Sequence, residues 1–299
     1  LVLLILVLLM GFATLLGVAL GAVWVPLKQG AQILLSRLGI NSEFSSVYEQ
    51  IIFNFRLPRV LIGVLVGFVL ALCGGVMQGI FRNPLADPYL LGIASGATAG
   101  AAAVIALHLE AIPFALPGAA FFGGLVAVSI VYRIASTQGG GRFDNFTLIL
   151  AGVALAALFS AITAFFLYMA GERERSGIVF WVMGGLAGAS WSYFYLLLPI
   201  ALFGGVVFLI FARDLNALAL GEEQAAHLGI EPSRLKKILL AVAALMTAAA
   251  VSASGTIGFV GLVVPHALRL IIGPDHRYLL PASALAGAVF LMLCDTAAR

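Results

Sequence analysis

The sequence has little charge for its length. Only 10% of its 299 residues are Asp, Glu, Lys or Arg, whereas 63% are hydrophobic, and the mean hydropathy is +1.14. Soluble domains carry about a quarter charged residues. The composition therefore predicts a polytopic membrane protein, with residues 1–299 forming one membrane domain, and the formal net charge of +3 gives no indication of nucleic-acid binding.

Cysteine and histidine are also scarce. Cys73 and Cys294 both lie in apolar segments without CxxC spacing, which favours small buried hydrophobic side chains over a disulfide or a metal pair. The four histidines fall at separate predicted turns and span ends, which disfavours a metal site. They are His108, His227, His266 and His276.

Motifs for catalysis are absent from the sequence. It contains no GxxxxGK[ST] motif, so we do not expect the chain to hydrolyse ATP, and no HExxH motif. We find no nucleophile–base pair and therefore expect no catalytic residue. We also expect that this chain binds no cofactor. A secondary, ion-coupled transporter is the alternative function, but it needs acids or bases at mid-membrane, and the predicted spans offer no good set.

Nine apolar segments are long enough, at about 20 residues each, to cross a bilayer as helices. The predicted fold class is therefore all-α, a helical membrane bundle. We expect the eighth segment, which is short and broken by glycine, to cross incompletely. The segments are 1–25, 60–80, 89–109, 117–135, 147–170, 193–212, 238–254, 256–272 and 279–297.

A polar turn leads into the third span. Asp87 precedes Pro88, and a capping side chain before a proline predicts a helix that starts at Pro88. Gly92, Gly96 and Gly100 then recur every four residues, a spacing that gives a flat face for close helix packing in lipid.

The segment 214–233 is the most polar stretch on the side we predict to face the cytoplasm. Asn216 is a candidate helix cap, and Gly221 separates two short predicted helices. Ala225 and Leu228 are three residues apart and predict a small apolar face. An ordinary surface loop with one helical turn is the alternative.

The end of this segment carries stop and start signals. Gly229 predicts a helix stop and Pro232 the first turn of the seventh span. We expect the cations that follow to hold that span at the lipid headgroups. They are Arg234, Lys236 and Lys237.

Several sequence blocks, in this order, resemble the membrane subunit of ABC importers that take up ferric siderophores, heme and vitamin B12, the type II importers. The blocks are Arg56-Leu-Pro-Arg-Val60, Met77-Gln-Gly79, Phe81-Arg-Asn-Pro-Leu-Ala-Asp-Pro88, Leu218-Ala-Leu-Gly-Glu-Glu-Gln-Ala-Ala-His-Leu-Gly229, Gly255-Thr-Ile-Gly-Phe-Val-Gly-Leu-Val-Val-Pro-His266 and Asp275-His-Arg277. Together they span most of the chain. The family continues past Arg299 into one further helix, and this sequence starts at Leu1 without a methionine, so we expect both ends to be trimmed.

This resemblance implies a fold, a function and partners. The fold would be the type II ABC importer permease fold, with about nine to ten transmembrane helices. The chain would be the permease subunit of an ATP-driven importer for an iron chelate, either a ferric siderophore or heme, or for cobalamin. It would form a dimer in the inner (plasma) membrane of a prokaryote, with two cytoplasmic subunits that bind ATP and magnesium and an extracytoplasmic substrate-binding protein.

The resemblance also implies three sets of site residues. The coupling segment would contact the ATP-binding subunit through Leu218, Gly221, Glu222, Glu223, Ala225, His227, Leu228 and Gly229. The inner mouth of the pathway would be bordered by Asp144, Asn145, Phe146 and Thr147, although a plain connector is an equal alternative. The binding protein would dock on Arg56, Arg59 and Arg299, for which the alternative role is to anchor span ends at the membrane interface.

Overall fold

A computed structural model describes residues 2–21, 25–26, 29–30, 32–33, 46–138 and 145–299. All regular secondary structure within these ranges is helical. The helices are α1 Val2–Ala19, α2 Ser46–Ile51, α3 Leu57–Phe81, α4 Ile93–Ala106, α5 Ala115–Gln138, α6 Asn145–Met169, α7 Glu172–Met183, α8 Trp191–Ile210, α9 Ala212–Leu220, α10 Glu222–His227, α11 Pro232–Ser254, α12 Val260–Ile272 and α13 His276–Ala297.

Each of the nine predicted spans contains one apolar helix. Seven of these helices are long and apolar enough to cross a membrane. The other two, α4 with 14 residues and α12 with 13, are shorter. The sequence therefore located the apolar segments correctly, and the number of full crossings in the whole chain stays a prediction.

The helix α3 forms the core of the bundle. It is buried along most of its length and packs against α8, α11, α12 and α13. A methyl group added to Gly67 would clash with the backbone of Gly287 in α13, and one added to Gly74 would clash with the backbone of Gly261 in α12. These helices therefore touch backbone to backbone, as small residues allow in membrane proteins.

After α3 the chain turns back into the bundle. Residues 82–87 form the polar turn, Asp87 caps a 3-10 turn at Pro88–Leu91 by accepting from the Tyr89 backbone N–H at 2.7 Å, and α4 begins only after Gly92 at φ +76°. Leu90 packs against Gly152 of α6. Gly152 is seven residues from the start of α6, so this turn lies about 10 Å inside the bundle. The predicted start at Pro88 is thus a 3-10 turn that precedes the α-helix.

The helix α12 also begins inside the bundle. Gly261, at its first turn, packs on Gly74, which is seven residues before the end of α3. Nearby, the Tyr89 hydroxyl donates to the Ile257 carbonyl oxygen at 2.9 Å. The start of α12 therefore meets the 3-10 turn that leads into α4, with Gly261 against Pro88, and α4 and α12 run to opposite ends of the bundle.

Two helices lie outside both the predicted spans and the segment 214–233. The charged run after Gly171 is typical of a solvated loop, but in the structure it begins α7, whose Ile178 is buried. Charges in the first turn and a single buried position give this helix no span-like signal. The helix α2 continues through a π-helical turn, Ile52–Arg56, directly into α3.

Candidate functional site

One end of the bundle brings together sequence segments that are far apart in the chain. It contains the C-terminal end of α3, the turn 82–87, the segment α9–α10, and the first residues of α6, α11 and α13. We call it the polar end. The opposite end contains Arg56, Arg59 and Arg299, and we call it the arginine end.

The segment 214–233 folds as the sequence predicted, into two short helices. Gly221, between α9 and α10, has φ +139°, and Gly229, after α10, has φ +82°. L-residues rarely adopt either conformation, which explains glycine at both positions. Pro232 is the first residue of α11. Two helices at a fixed angle are more structure than a flexible tether would have.

The apolar face predicted for this segment does not form. Ala225 is fully buried, whereas the side chain of Leu228 is 66% exposed. The reason is that α10 ends at His227, so Leu228 lies beyond the helix and turns away from Ala225. Glu223 and His227 are exposed beside Leu228. The segment therefore presents a mixed surface of one leucine and polar side chains.

Asn216 was predicted to cap a helix, and its side chain accepts from the first backbone N–H of α13 rather than from α9, which contains it. It lies inside α9, and its side-chain oxygen accepts from the His276 backbone N–H at 2.9 Å and lies 2.7 Å from His276 Nδ1. Its Nδ2 donates to Asp275 Oδ1 at 2.7 Å. Asn216 therefore joins the segment α9–α10 to the first turn of α13.

Asp275 is the N-cap residue of α13. Its carboxylate accepts from the Arg277 backbone N–H at 3.0 Å and from the Arg277 guanidinium at 2.6–3.1 Å. The hydrogen bonds from the Arg277 side chain, then the one from Asn216, hold the pKa of the Asp275 carboxyl well below its ordinary value. This carboxylate is therefore charged throughout the neutral pH range.

Lys236 does not lie at the headgroups, and that part of the prediction is wrong. Only 1% of its side chain is exposed, and its ammonium donates to Glu222 Oε1 at 2.6 Å and to Asn145 Oδ1 at 2.7 Å. Asn145 in turn donates to the Ile80 carbonyl oxygen at 3.4 Å. Sequence reasoning missed this cluster because Asn145 and Glu222 are distant in sequence and a lysine near a span end is most often a headgroup anchor.

The predicted inner mouth is only partly described. Asn145 is the first residue of α6 and bonds Lys236, whereas Phe146 is exposed and Thr147 is half-buried. Asp144 lies outside the described residues. The structure thus connects the first residue of α6 to the segment α9–α10 through one lysine.

A groove of about 760 Å³ opens between the polar turn and α9. Its wall carries polar side chains beside apolar ones. They include Gln78, Arg82, Asn83, Asn216, Leu220, Leu228 and Arg269. Among the residues that the structure describes, no group of three or more His, Cys, Asp or Glu could hold a metal ion. Hydrogen-bonding and apolar groups side by side fit the binding of a protein surface.

The three arginines of the arginine end make bonds within the chain. Arg56 is buried, and its guanidinium donates to the Val18 and Ala19 carbonyl oxygens at 2.6 and 2.7 Å, at the C-terminal end of α1. Arg59 pairs with Asp295, and Arg299 donates to the same carboxylate and to the Gly17 carbonyl oxygen at 2.8 Å. These bonds fasten helix ends to one another, and both docking and anchoring at the membrane interface stay predictions.

The three predicted packing glycines have two different surroundings. A methyl group on Gly96 or Gly100 would clash with the backbone of α5, at Gly123 and Ala119 respectively. Gly92 instead ends the 3-10 turn with a positive φ, and a methyl group there would meet only ordinary contacts. Gly96 and Gly100 therefore face a helix at backbone distance, and Gly92 does not.

The model of the FecCD transport family matches residues 5–299. Over 251 residues the chain is 48% identical to the cobalamin import system permease protein BtuC of Halobacterium salinarum, covering 84% of this chain and 67% of that protein. It is 41% identical to the hemin transport system permease protein HmuU of Yersinia pestis, covering 91% of this chain and 82% of that protein.

A solved structure is similar over nearly the whole chain. It is an inward-facing conformation of a metal-chelate type ABC transporter, matched with a TM-score of 0.87 and 31% identity over 99% of this chain and 90% of that one. The helix order and the short helices described above are therefore those of a known transporter fold.

Proposed function

The chain belongs to the FecCD transport family, and we propose that it is the permease subunit of an ATP-driven importer for a metal chelate or cobalamin. The observation that carries this proposal is the rigid two-helix segment α9–α10 at the polar end, with Glu223, His227 and Leu228 exposed on it. Because the sequence contains no nucleotide-binding motif, ATP-driven transport by this chain would need a surface that contacts a separate ATPase.

The substrate class follows from the relatives. Proteins named for cobalamin and for hemin import are 48% and 41% identical to this chain, and the structural relative is described as a metal-chelate transporter. We therefore place the substrate among large chelates and macrocycles: a ferric siderophore, heme or cobalamin. Substrate choice would rest mainly with the external binding protein.

The proposed assembly contains two copies of this permease, with the pathway between them, in the plasma membrane of a prokaryote. Each copy would contact one ATP-binding subunit at the polar end, through the coupling residues named above, and the pathway mouth would lie beside Asn145. ATP and magnesium would bind only to the partner subunits. The binding protein would dock at the arginine end, where Arg59 offers the accessible cation, its side chain being 29% exposed.

Reconstitution in liposomes tests this function. The chain alone should neither hydrolyse ATP nor accumulate substrate, and addition of its ATP-binding subunits and binding protein should produce uptake that needs ATP inside. The control is the same assembly with a partner ATPase that binds but does not hydrolyse ATP. Uptake by the chain alone, driven by a proton or sodium gradient, would instead establish the secondary transporter.

A further inference from the structure

The ammonium of Lys236 connects three separate segments of the polar end. Lys236 belongs to α11, its acceptor Glu222 begins α10, and its acceptor Asn145 begins α6. Asn145 also bonds the Ile80 carbonyl oxygen, in the last turn of α3. One buried cation thus lies between the segment proposed to contact the ATPase and the helix proposed to border the pathway.

Because the Lys236 side chain is buried, its ammonium depends on these acceptors. A cation removed from water is tolerated only where acceptors replace its hydration, and loss of one acceptor is costly. Glu222 supplies a charge and Asn145 a neutral carbonyl oxygen, at 2.6 and 2.7 Å. Glu222 is itself 46% exposed, so its carboxylate is the member of the cluster within reach of a partner protein.

We propose that Lys236 is a positioning residue for transport, which makes α10, α11 and the start of α6 move as one unit. This inference rests on the proposed function, since it assigns how motion at the segment α9–α10 reaches the pathway. A displacement of α10 that left α6 behind would separate Lys236 from an acceptor inside the protein. Displacement of all three together keeps both bonds, and it moves the inner mouth.

The first test replaces the cation by an apolar side chain of similar length. In the complete importer, reconstituted with ATPase and binding protein, Lys236→Met should still hydrolyse ATP, but transport per ATP hydrolysed should fall about tenfold. A tenfold loss corresponds to about 1.4 kcal/mol. Lys237→Met is the matched control, because Lys237 is exposed on the same helix and stacks on Tyr132 at 5.5 Å; it should keep the parent ratio.

Transport per ATP unchanged in Lys236→Met would overturn the proposal, as would an equal loss in Lys237→Met. Failure of the proposed function has a different signature. In that case the unmodified chain itself would not bind the ATPase or would transport without ATP. Affinity for the ATPase, measured separately, should be unchanged in Lys236→Met, because the side chain is buried.

A second pair of variants keeps the test decisive if Lys236→Met does not fold. Glu222→Ala and Asn145→Ala each remove one acceptor of the Lys236 ammonium, from different helices, and each should lower transport per ATP. Their effects should not add, because both act through the same ammonium. Independent, additive losses, or parent behaviour in both variants, would show that Lys236 does not link the two helices.

Discussion

Arg59 and Asp295 form a bidentate pair at the arginine end. Arg59 Nη2 lies 2.7 Å from Asp295 Oδ1, and Arg59 Nε lies 3.1 Å from both carboxylate oxygens. Arg299 reaches the same carboxylate from the end of α13 and also bonds Gly17 in α1. One carboxylate therefore fastens α1, α3 and α13 to one another.

Asp295→Asn should destabilise the protein, because it leaves two arginines without their shared counter-charge. Breaking a buried ion pair costs about 3–5 kcal/mol, and partial exposure of Arg59 reduces this to about 1–3 kcal/mol. The free energy of unfolding, measured for the detergent-solubilised chain, tests this loss. Glu231→Gln, at an exposed carboxylate before α11, is the control and should match the parent; equal stability of both variants would show that Asp295 does not fasten these helices together.

Leu228→Asp should weaken binding of the ATPase and leave the fold intact, because Leu228 is exposed. An interface side chain of this kind contributes about 1–2 kcal/mol, so affinity should fall roughly 5- to 30-fold. Ala225→Asp makes the same chemical change three residues earlier at a buried position, and it should lower stability instead. Parent affinity in Leu228→Asp, measured in nanodiscs by binding of the purified ATPase, would remove Leu228 from the coupling surface.

Gly100→Ala should destabilise the packing of α4 on α5, because the added methyl group meets the Ala119 backbone. Overpacking of this kind costs about 1–3 kcal/mol. Gly118→Ala is the matched control in α5, since an added methyl group there meets nothing within 4 Å. Thermal unfolding in detergent compares the two. If they unfold alike, the close approach of α4 and α5 is not required.

Asp275 should give the protein an acid-sensitive contribution to stability. Its folded pKa is lowered, so the contribution is complete above the ordinary value of 3.8 and is lost as pH falls through the folded value. Asp275→Asn should therefore be less stable than the parent at about pH 7, with a difference that narrows below about pH 4. A pH series of unfolding midpoints measures it. A difference that is constant across the series would show that the charge of Asp275 does not matter.

Much of the fold prediction rested on hydropathy and on capping and turn residues. Each apolar run longer than about 16 residues contains a helix, and Gly221, Gly229 and Pro232 marked real helix boundaries because their backbone preferences are local. The helix α7 lies outside every predicted span, because its charged first turn dominates a short sequence window. Local sequence signals therefore predicted the helix boundaries that depend on the backbone preference of a single residue.

The site depended on contacts that local patterns do not contain. Lys236 was expected at the headgroups, and Asn216 was expected to cap a helix without that helix being identified; both bond to segments brought near only by the fold. Leu228 was placed on a face with Ala225 by spacing alone, and the end of α10 after His227 separates them. The positions of these side chains depend on long-range contacts and on the exact helix ends, which the sequence pattern does not show.

The place where the 3-10 turn before α4 meets α12 has an electrostatic consequence. The N-terminal end of a helix carries a partial positive charge, and here Pro88 of the 3-10 turn meets Gly261 in the first turn of α12, with Gly258 and Phe259 exposed just before that helix. The Asp87 carboxylate caps the 3-10 turn and offsets its partial charge, whereas among the described residues no side chain caps the start of α12. In the proposed importer we therefore expect the start of α12 to favour chelates with an anionic outer surface, and uptake of two ferric chelates of opposite net charge, measured side by side, would test this.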